Sequence, residues 1–308
     1  MTKFFHTTAL FGALLLCPHT GHAILAGSEF GHPPDSPSNR IDPFTADSPF
    51  QAVGALHIDT GSSTFLGSAV VLSRHWVLSA GHNVDINQDG QPDPGLHFTL
   101  HLPGHGSMST STAYTHPEFK GFGNPSFHND LSLLYFDDPL PELAFPDLGL
   151  SMTKGQEITL AGFGRSGFGS SGYTTQAGIE DRRIGWNTVS NLFTTSQNDG
   201  LVFRYTFHEP SHPQSLGNDR ETIVGPGDSG GPAFVPRGDG HALVGINTFV
   251  EGTGGRFGDV GGGVVLEPAW AWIAETTGLA LIPEPNTLYF LLVGGLLLFW
   301  KRPGAENR

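Results

Sequence analysis

The sequence predicts an all-β protein, on three observations. Glycine and proline are abundant, with 43 and 23 among 308 residues. Only 14% of residues are charged, too few Lys and Glu for long surface helices. Short runs rich in apolar and β-branched residues recur between clusters of Gly, Ser, Pro and Asp, which is the pattern of strands joined by turns.

The runs fall at residues 51–58, 68–80, 97–102, 130–136, 157–164, 201–207, 232–236 and 242–250. Their spacing suits barrels or sandwiches. Residues 24–49, rich in Pro, Asp and Ser, read as an extended leader, and the Gly-, Ser- and Thr-rich residues 162–178 as an exposed loop. Residues 267–278 alone have helix character, with Trp270, Ile273 and Ala274 at helical spacing and Gly278 as a stop. A formal charge of −14 with only 15 Lys and Arg argues against a nucleic-acid partner, because tracking phosphates needs clustered cations.

Both ends carry their own signals. Lys3, the apolar residues 9–16, and the small residues Gly21 and Ala23 form a secretory signal over residues 1–23, with cleavage expected between Ala23 and Ile24. Cys17, the only cysteine, lies inside this segment, so the exported chain has no thiol left to form a disulfide. A lipid anchor at Cys17 is disfavoured by the bulk of Leu16. At the other end Pro283-Glu284-Pro285 precedes an apolar stretch from Leu288 to Trp300, followed by Lys301 and Arg302. Counted from Ile282, the stretch approaches the roughly 20 residues of a membrane helix. The three parts in this order resemble a PEP-CTERM sorting signal over residues 282–308. That resemblance implies an exosortase-type processing enzyme as a partner, contact with the membrane through the C-terminal segment, and an exported protein of the cell envelope or exterior. An ordinary C-terminal anchor is the weaker alternative. The folded portion is then residues 24–281.

Within it, residues 225–232 read Gly-Pro-Gly-Asp-Ser-Gly-Gly-Pro. A serine hydroxyl is a poor nucleophile at neutral pH and needs a base, and the base needs an orienting group. His82 closes one strand-like run and Asp130 opens another, so the three residues occur in the order His82, Asp130, Ser229. The stretch also satisfies Gly-x-Ser-x-Gly, the turn of α/β-hydrolases, but those place acid and histidine after the serine. Only His241 follows Ser229, too close to leave room for the rest of that fold.

Ser79-Ala80-Gly81-His82, Asp130-Leu131-Ser132-Leu133-Leu134 and Gly227-Asp228-Ser229-Gly230-Gly231-Pro232 together resemble the three catalytic segments of trypsin-like serine proteases. The resemblance implies a two-barrel chymotrypsin-like fold with a short C-terminal helix, a polypeptide substrate, and no required cofactor. Two departures stand out: Gly81 replaces alanine, and Asn83 stands where cysteine is frequent. Glycines 227 and 230 can take backbone conformations closed to other residues, letting the amides of Gly227 and Ser229 converge on one oxyanion. Asp228, by the resemblance, pairs with a newly freed N-terminal ammonium. Ile24-Leu25-Ala26-Gly27 resembles the start that supplies it, with Arg40-Ile41 as the rival; signal cleavage would expose Ile24 directly.

The resemblance also marks a substrate pocket. Ile223 stands where trypsin carries an aspartate, and an apolar base cannot pair a buried cation, so cleavage after Lys or Arg is disfavoured. Thr248, Phe249 and Val250 continue the wall that holds substrate as an added strand. Val250 replaces glycine and narrows the pocket, which favours small or medium apolar side chains. Finally, Asp85, Asn87, Asp89, Gln91 and Asp93 alternate around Gly90 like the start of a calcium loop. Leu96 occupies the position of the closing glutamate, so an EF-hand is not supported; a looser structural calcium site and a plain acidic turn both stand. Two functions remain: an exported serine endopeptidase, and a catalytically inactive protease-like surface or matrix binding module.

Overall fold

A computed structural model describes residues 24–121, 129–194, 200–238 and 240–281. The expected signal segment, residues 1–23, and sorting segment, residues 282–308, lie outside them. No helix among the described residues is long and apolar enough to cross a membrane.

The first half of the chain forms β1 (Val53–Asp59), β2 (Thr64–Val71), β3 (Trp76–Ser79), β4 (His97–Leu102), β5 (Gly106–Thr110), β6 (Thr112–Thr115) and β7 (Ser132–Tyr135). They make one antiparallel sheet in the order β5-β4-β1-β2-β3-β7-β6. The two edge strands, β5 and β6, are separated in the chain by Ser111 alone. A single residue cannot span an open sheet of this width, so the sheet must roll until its edges meet.

The second half forms β8 (Glu157–Gly162), β9 (Ser166–Phe168), β10 (Gly172–Thr175), β11 (Arg183–Thr188), β12 (Asn191–Thr194), β13 (Leu201–Thr206), β14 (Pro232–Arg237), β15 (Gly240–Glu251) and β16 (Val260–Val265). Seven of these order as β11-β8-β14-β15-β16-β13-β12, again with consecutive strands at the two edges, joined through Val189 and Ser190. The β9-β10 hairpin stands apart as a two-stranded sheet. A 3-10 turn, Glu267–Ala269, leads into α1 (Trp270–Thr277), which ends at Gly278 in the left-handed conformation expected of a C-cap. Trp270 and Ile273 are its buried face.

Alternation along the strands sends Leu56, Phe98, Leu100, Val77 and Leu133 inward in the first sheet, and Leu160, Phe203, Phe234 and Leu243 in the second. Two expectations are corrected. Residues 24–49 are more than an extended leader: Ile24 and Leu25 are fully buried, and the Leu25 and Ala26 amides donate to Ile223 and Gly167 at 3.1 and 3.0 Å. The polar composition that suggested a leader is spent on specific bonds, such as the buried Arg40–Asp35 pair at 2.6 Å. Residues 162–178 are not simply exposed either, because Phe163, Gly164 and Ser166 pack inside and β9-β10 lies within the range.

Candidate active site

The strand register brings His82 and Asp130 together. Ser79 at the end of β3 pairs with Ser132 at the start of β7. In an antiparallel pair, the residues just after one strand meet those just before the other. Beyond Ser79 the chain turns into a 3-10 helix, Gly81–Asn83, whose backbone is anchored where the Ser132 hydroxyl donates to the Ala80 carbonyl at 2.7 Å. Asp130, fully buried, accepts the His82 amide on Oδ1 at 2.8 Å, and its Oδ2 lies 2.7 Å from His82 Nδ1. Holding Nδ1 on the carboxylate fixes the orientation of the imidazole ring.

Ser229 sits in the turn before β14. The Asp228 amide donates to the Gly225 carbonyl at 2.9 Å, and the Gly231 amide to the Asp228 carbonyl at 2.8 Å. Gly227 and Gly230 have φ of +99° and +86°, conformations that side-chain-bearing residues avoid. At Gly230 a Cβ would lie 2.1 Å from Ser79 Oγ and 2.2 Å from the Ser68 carbonyl, so the turn presses directly against the first sheet. The Ser229 carbonyl accepts from the Ser68 amide at 2.8 Å and from Asn83 Nδ2 at 3.0 Å. The amides of Gly227 and Ser229 donate to no group among the described residues.

His82, Gly227 and Ser229 line one cleft of about 380 Å³ between the two sheets. Thr248, Phe249 and Val250 form one wall and Val224–Gly227 another, while Phe65 and Leu66 reach in from β2 and Ile86 from the loop after His82. Ile223 does not line this cleft: it is fully buried in the core, its carbonyl bonded to Leu25, and its neighbour Val224 takes the wall position. Val224, Phe65 and Ile86 were not singled out in the sequence. Phe65 and Ile86 are large apolar residues left exposed, a signal visible only once burial is known.

Asp228 points away from the cleft and is fully buried. Its carboxylate accepts the amides of Gly164 at 2.7 Å and Gly225 at 2.8 Å, and also that of Ile24. Burial outweighs these bonds and pushes its pKa from the ordinary 3.8 up to about 6. The close fit requires glycine at 162 and 164, where a Cβ would lie 2.1 Å from Asp228 Oδ1 and 2.5 Å from the Asp228 amide. Ile41, the rival N-terminus, bridges to Arg183 instead.

The acidic loop after His82 is closed by its own hydrogen bonds. Asp85 accepts the amides of Asp89 and Gly90 at 3.0 and 2.8 Å, Asn87 that of Asp89 at 2.9 Å, Asp89 that of Gln91 at 2.9 Å, and Asp93 those of Ile86 and Asn87 at 2.7 and 3.0 Å. Among the described residues no three His, Cys, Asp or Glu side chains converge closely enough to hold a metal ion.

A base held by a buried carboxylate, a hydroxyl in the same cleft and two unused amides beside it can together support acyl transfer. The family profile described as Trypsin matches residues 44–264. Among solved structures, one titled HL collagenase at 1.7 Å resolution is similar in fold, with a TM-score of 0.55 and 17% sequence identity over 75% of this chain and 95% of that one. No protein of curated function matches the sequence significantly. The fold is therefore all-β and chymotrypsin-like, and the chain belongs to the trypsin family.

Proposed function

We propose that the chain is an exported serine endopeptidase whose two rolled sheets are the two barrels of its family. The observation that carries this reading is that His82, held by the buried Asp130, lines one cleft with Gly227 and Ser229. Ser229 Oγ attacks the scissile carbonyl while His82 Nε2 takes its proton, and the carbonyl oxygen becomes an oxyanion bound by the two amides. Collapse breaks the C–N bond; His82 returns the proton to the leaving amine, and Ser229 holds the acyl group as an ester. Water, deprotonated by His82, then hydrolyses the ester and frees the carboxylic acid and the serine. Asp130 holds the imidazole tautomer and stabilises its cationic form. This chemistry requires no cofactor.

Activation follows from Ile24. Its amide already donates to Asp228, and its φ of +52° lies in the left-handed region that a β-branched residue avoids. Cleavage after Ala23 would turn that amide into an ammonium beside a buried carboxylate and free the strained torsion, so removal of the signal segment itself completes the oxyanion loop. Residues 282–308 are proposed as the sorting segment, which holds the exported enzyme at the membrane until an exosortase-type enzyme processes it. A calcium ion on the loop of residues 85–93 is tested by calorimetric titration of the folded protein.

Covalent labelling by a fluorophosphonate, mapped to the peptide bearing Ser229 and lost in Ser229→Ala, tests the enzyme reading. A correctly processed wild-type chain that never labels would overturn it in favour of an inactive binding module.

A further inference from the structure

Ser68 belongs to β2 in the first sheet, yet both its amide and its hydroxyl bond the turn that carries Ser229. β3 pairs with β2 at Val70 and Val71 and then leaves the strand, and at Ser68 the Ser229 carbonyl takes up the amide at 2.8 Å. The hydroxyl donates to the Gly227 carbonyl at 2.9 Å and accepts the Phe163 amide at 3.0 Å. With that amide on the oxygen, the single hydroxyl proton is committed to Gly227. The Ser68 carbonyl accepts the Ser79 hydroxyl at 2.9 Å, and the residue is fully buried.

The turn is held one peptide unit at a time. The Pro226 carbonyl accepts the Arg165 amide at 2.7 Å, the Gly227 carbonyl the Ser68 hydroxyl, the Asp228 carbonyl the Gly231 amide at 2.8 Å, and the Ser229 carbonyl the Ser68 amide. A peptide unit is planar, so fixing its carbonyl also fixes the direction of its N–H. The Gly227 amide belongs to the first of these units and the Ser229 amide to the third.

The unit between them, joining Gly227 to Asp228, therefore sets the angle between the two amides. It starts at Gly227, whose φ of +99° reflects a backbone free to take several conformations. Its amide end bonds inside the turn, to the Gly225 carbonyl at 2.9 Å, and its carbonyl end is held from the other sheet by Ser68. The loop after β8 braces the same arrangement with three successive amides: Phe163 to the Ser68 hydroxyl, Gly164 to Asp228 Oδ1 at 2.7 Å, and Arg165 to Pro226.

We propose that Ser68 is a positioning residue for acyl transfer: its hydroxyl, oriented by Phe163, locks the peptide unit between the two amides that are to bind the oxyanion and keeps both aimed at one point. The inference rests on the endopeptidase reading and adds to it a residue outside the cleft. Ser68 acts through Gly227 and does not itself meet substrate. Two donors stabilise the oxyanion fully only when both converge on it, so loss of the hydroxyl falls on the transition state rather than on substrate binding.

The test is the rate at which a fluorophosphonate labels the processed protein, measured together with the final extent of labelling. Ser68→Ala removes the hydroxyl and keeps the amide. It should slow labelling about 10- to 100-fold, the range in which misplaced catalytic groups lose rate, while the extent still reaches that of wild type. The inhibition constant of a peptide boronic acid, whose tetrahedral adduct presents an oxygen to the same two amides, should rise by a similar factor. A merely structural role would lower the extent through loss of folded protein and leave the rate of the folded fraction unchanged; that result overturns the proposal. A folded Ser68→Ala protein that binds the boronic acid as tightly as wild type overturns it as well. Ser68→Cys fills nearly the same space with a weaker donor and should fall between wild type and Ser68→Ala. If Ser68→Ala fails to fold, Ser68→Cys decides, and a wild-type labelling rate in that variant sinks the role of Ser68 alone. Failure of the wild type to label at all sinks the endopeptidase reading, and the role of Ser68 with it.

Discussion

Asp130 grips His82 twice, accepting its backbone amide on Oδ1 at 2.8 Å and standing 2.7 Å from its Nδ1 on Oδ2. The first bond fixes where the residue is, the second which way its ring faces. Asp130→Asn should therefore leave the fold and the cleft in place while it presents the wrong hydrogen-bonding group to Nδ1. The expected result is a fall in kcat of about 10⁴-fold with little change in KM, read by steady-state kinetics. A loss of less than about tenfold would show that the carboxylate does not set the tautomer.

Asn83 takes over a task that the sequence left open. Fully formed bonds run from its Nδ2 to Ser79 Oγ at 3.0 Å and to the Ser229 carbonyl at 3.0 Å, joining the turn that carries His82 to the turn that carries Ser229. In a chain with its one cysteine at position 17, a hydrogen-bonded amide rather than a covalent bridge ties these segments. Asn83→Ala removes one bond from each of two groups that keep another partner, the Ser229 carbonyl its bond from the Ser68 amide and the Ser79 hydroxyl its bond to the Ser68 carbonyl, and the two lost bonds should together cost about 1–3 kcal/mol in chemical denaturation. It should also lower kcat more than it raises KM. Unchanged stability would refute the tie.

Gly81 is a tight site. A Cβ there would lie 3.0 Å from Asp130 Oδ1 and 3.0 Å from the Phe119 ring, so one of them must move. Gly81→Ala is expected to cost about 1–3 kcal/mol as local overpacking. Because Phe119 is the bulkier obstacle, Phe119→Leu in the same chain should recover part of the loss. Additive effects of the two substitutions in a double-mutant cycle would count against this contact.

Asp228 makes stability depend on pH in a direction set by the N-terminus. In the uncleaved chain its pKa is raised from 3.8 to about 6, chiefly by burial. The folded state then holds its proton more tightly than the unfolded state, so stability is greatest below about pH 4 and is lost as pH rises to about 6. In a chain beginning at Ile24 the adjacent ammonium favours the ionised carboxylate and reverses the sign, giving stability above the unfolded value. The Tm of the Ile24-initiated chain minus that of the longer chain should grow between pH 4 and pH 6. A difference that is flat across this window would remove Ile24 as the partner of Asp228.

Much of the architecture is legible in one dimension. The runs at 51–58, 97–102, 157–164, 201–207 and 242–250 all contain strands, and Gly278 does stop the helix, because β-branched alternation and a glycine C-cap are local signals. β16 was not legible: Gly261, Gly262 and Gly263 argue against a strand by propensity, and their use becomes clear only from the rings of Tyr205 and Phe249 and the Ile246 carbonyl packed against them. The burial of residues 24–27 and of Asp35, Pro37 and Arg40 was hidden for a similar reason, since Pro, Asp and Ser signal turns whether or not their side chains later find distant partners.

From the sequence alone come His82, Asp130 and Ser229 as candidates, the all-β class and the glycines that let the turn at 225–232 form. These are legible because residue chemistry and backbone permissiveness are properties of short segments. Only the tertiary structure decided that β3 and β7 align Ser79 with Ser132, that Ile24 reaches Asp228, that Asn83 spans two turns, and that Val224 rather than Ile223 faces the cleft. Each of these depends on strand register and on burial between segments far apart in the chain, and neither quantity exists until the two sheets have rolled up and closed on one another.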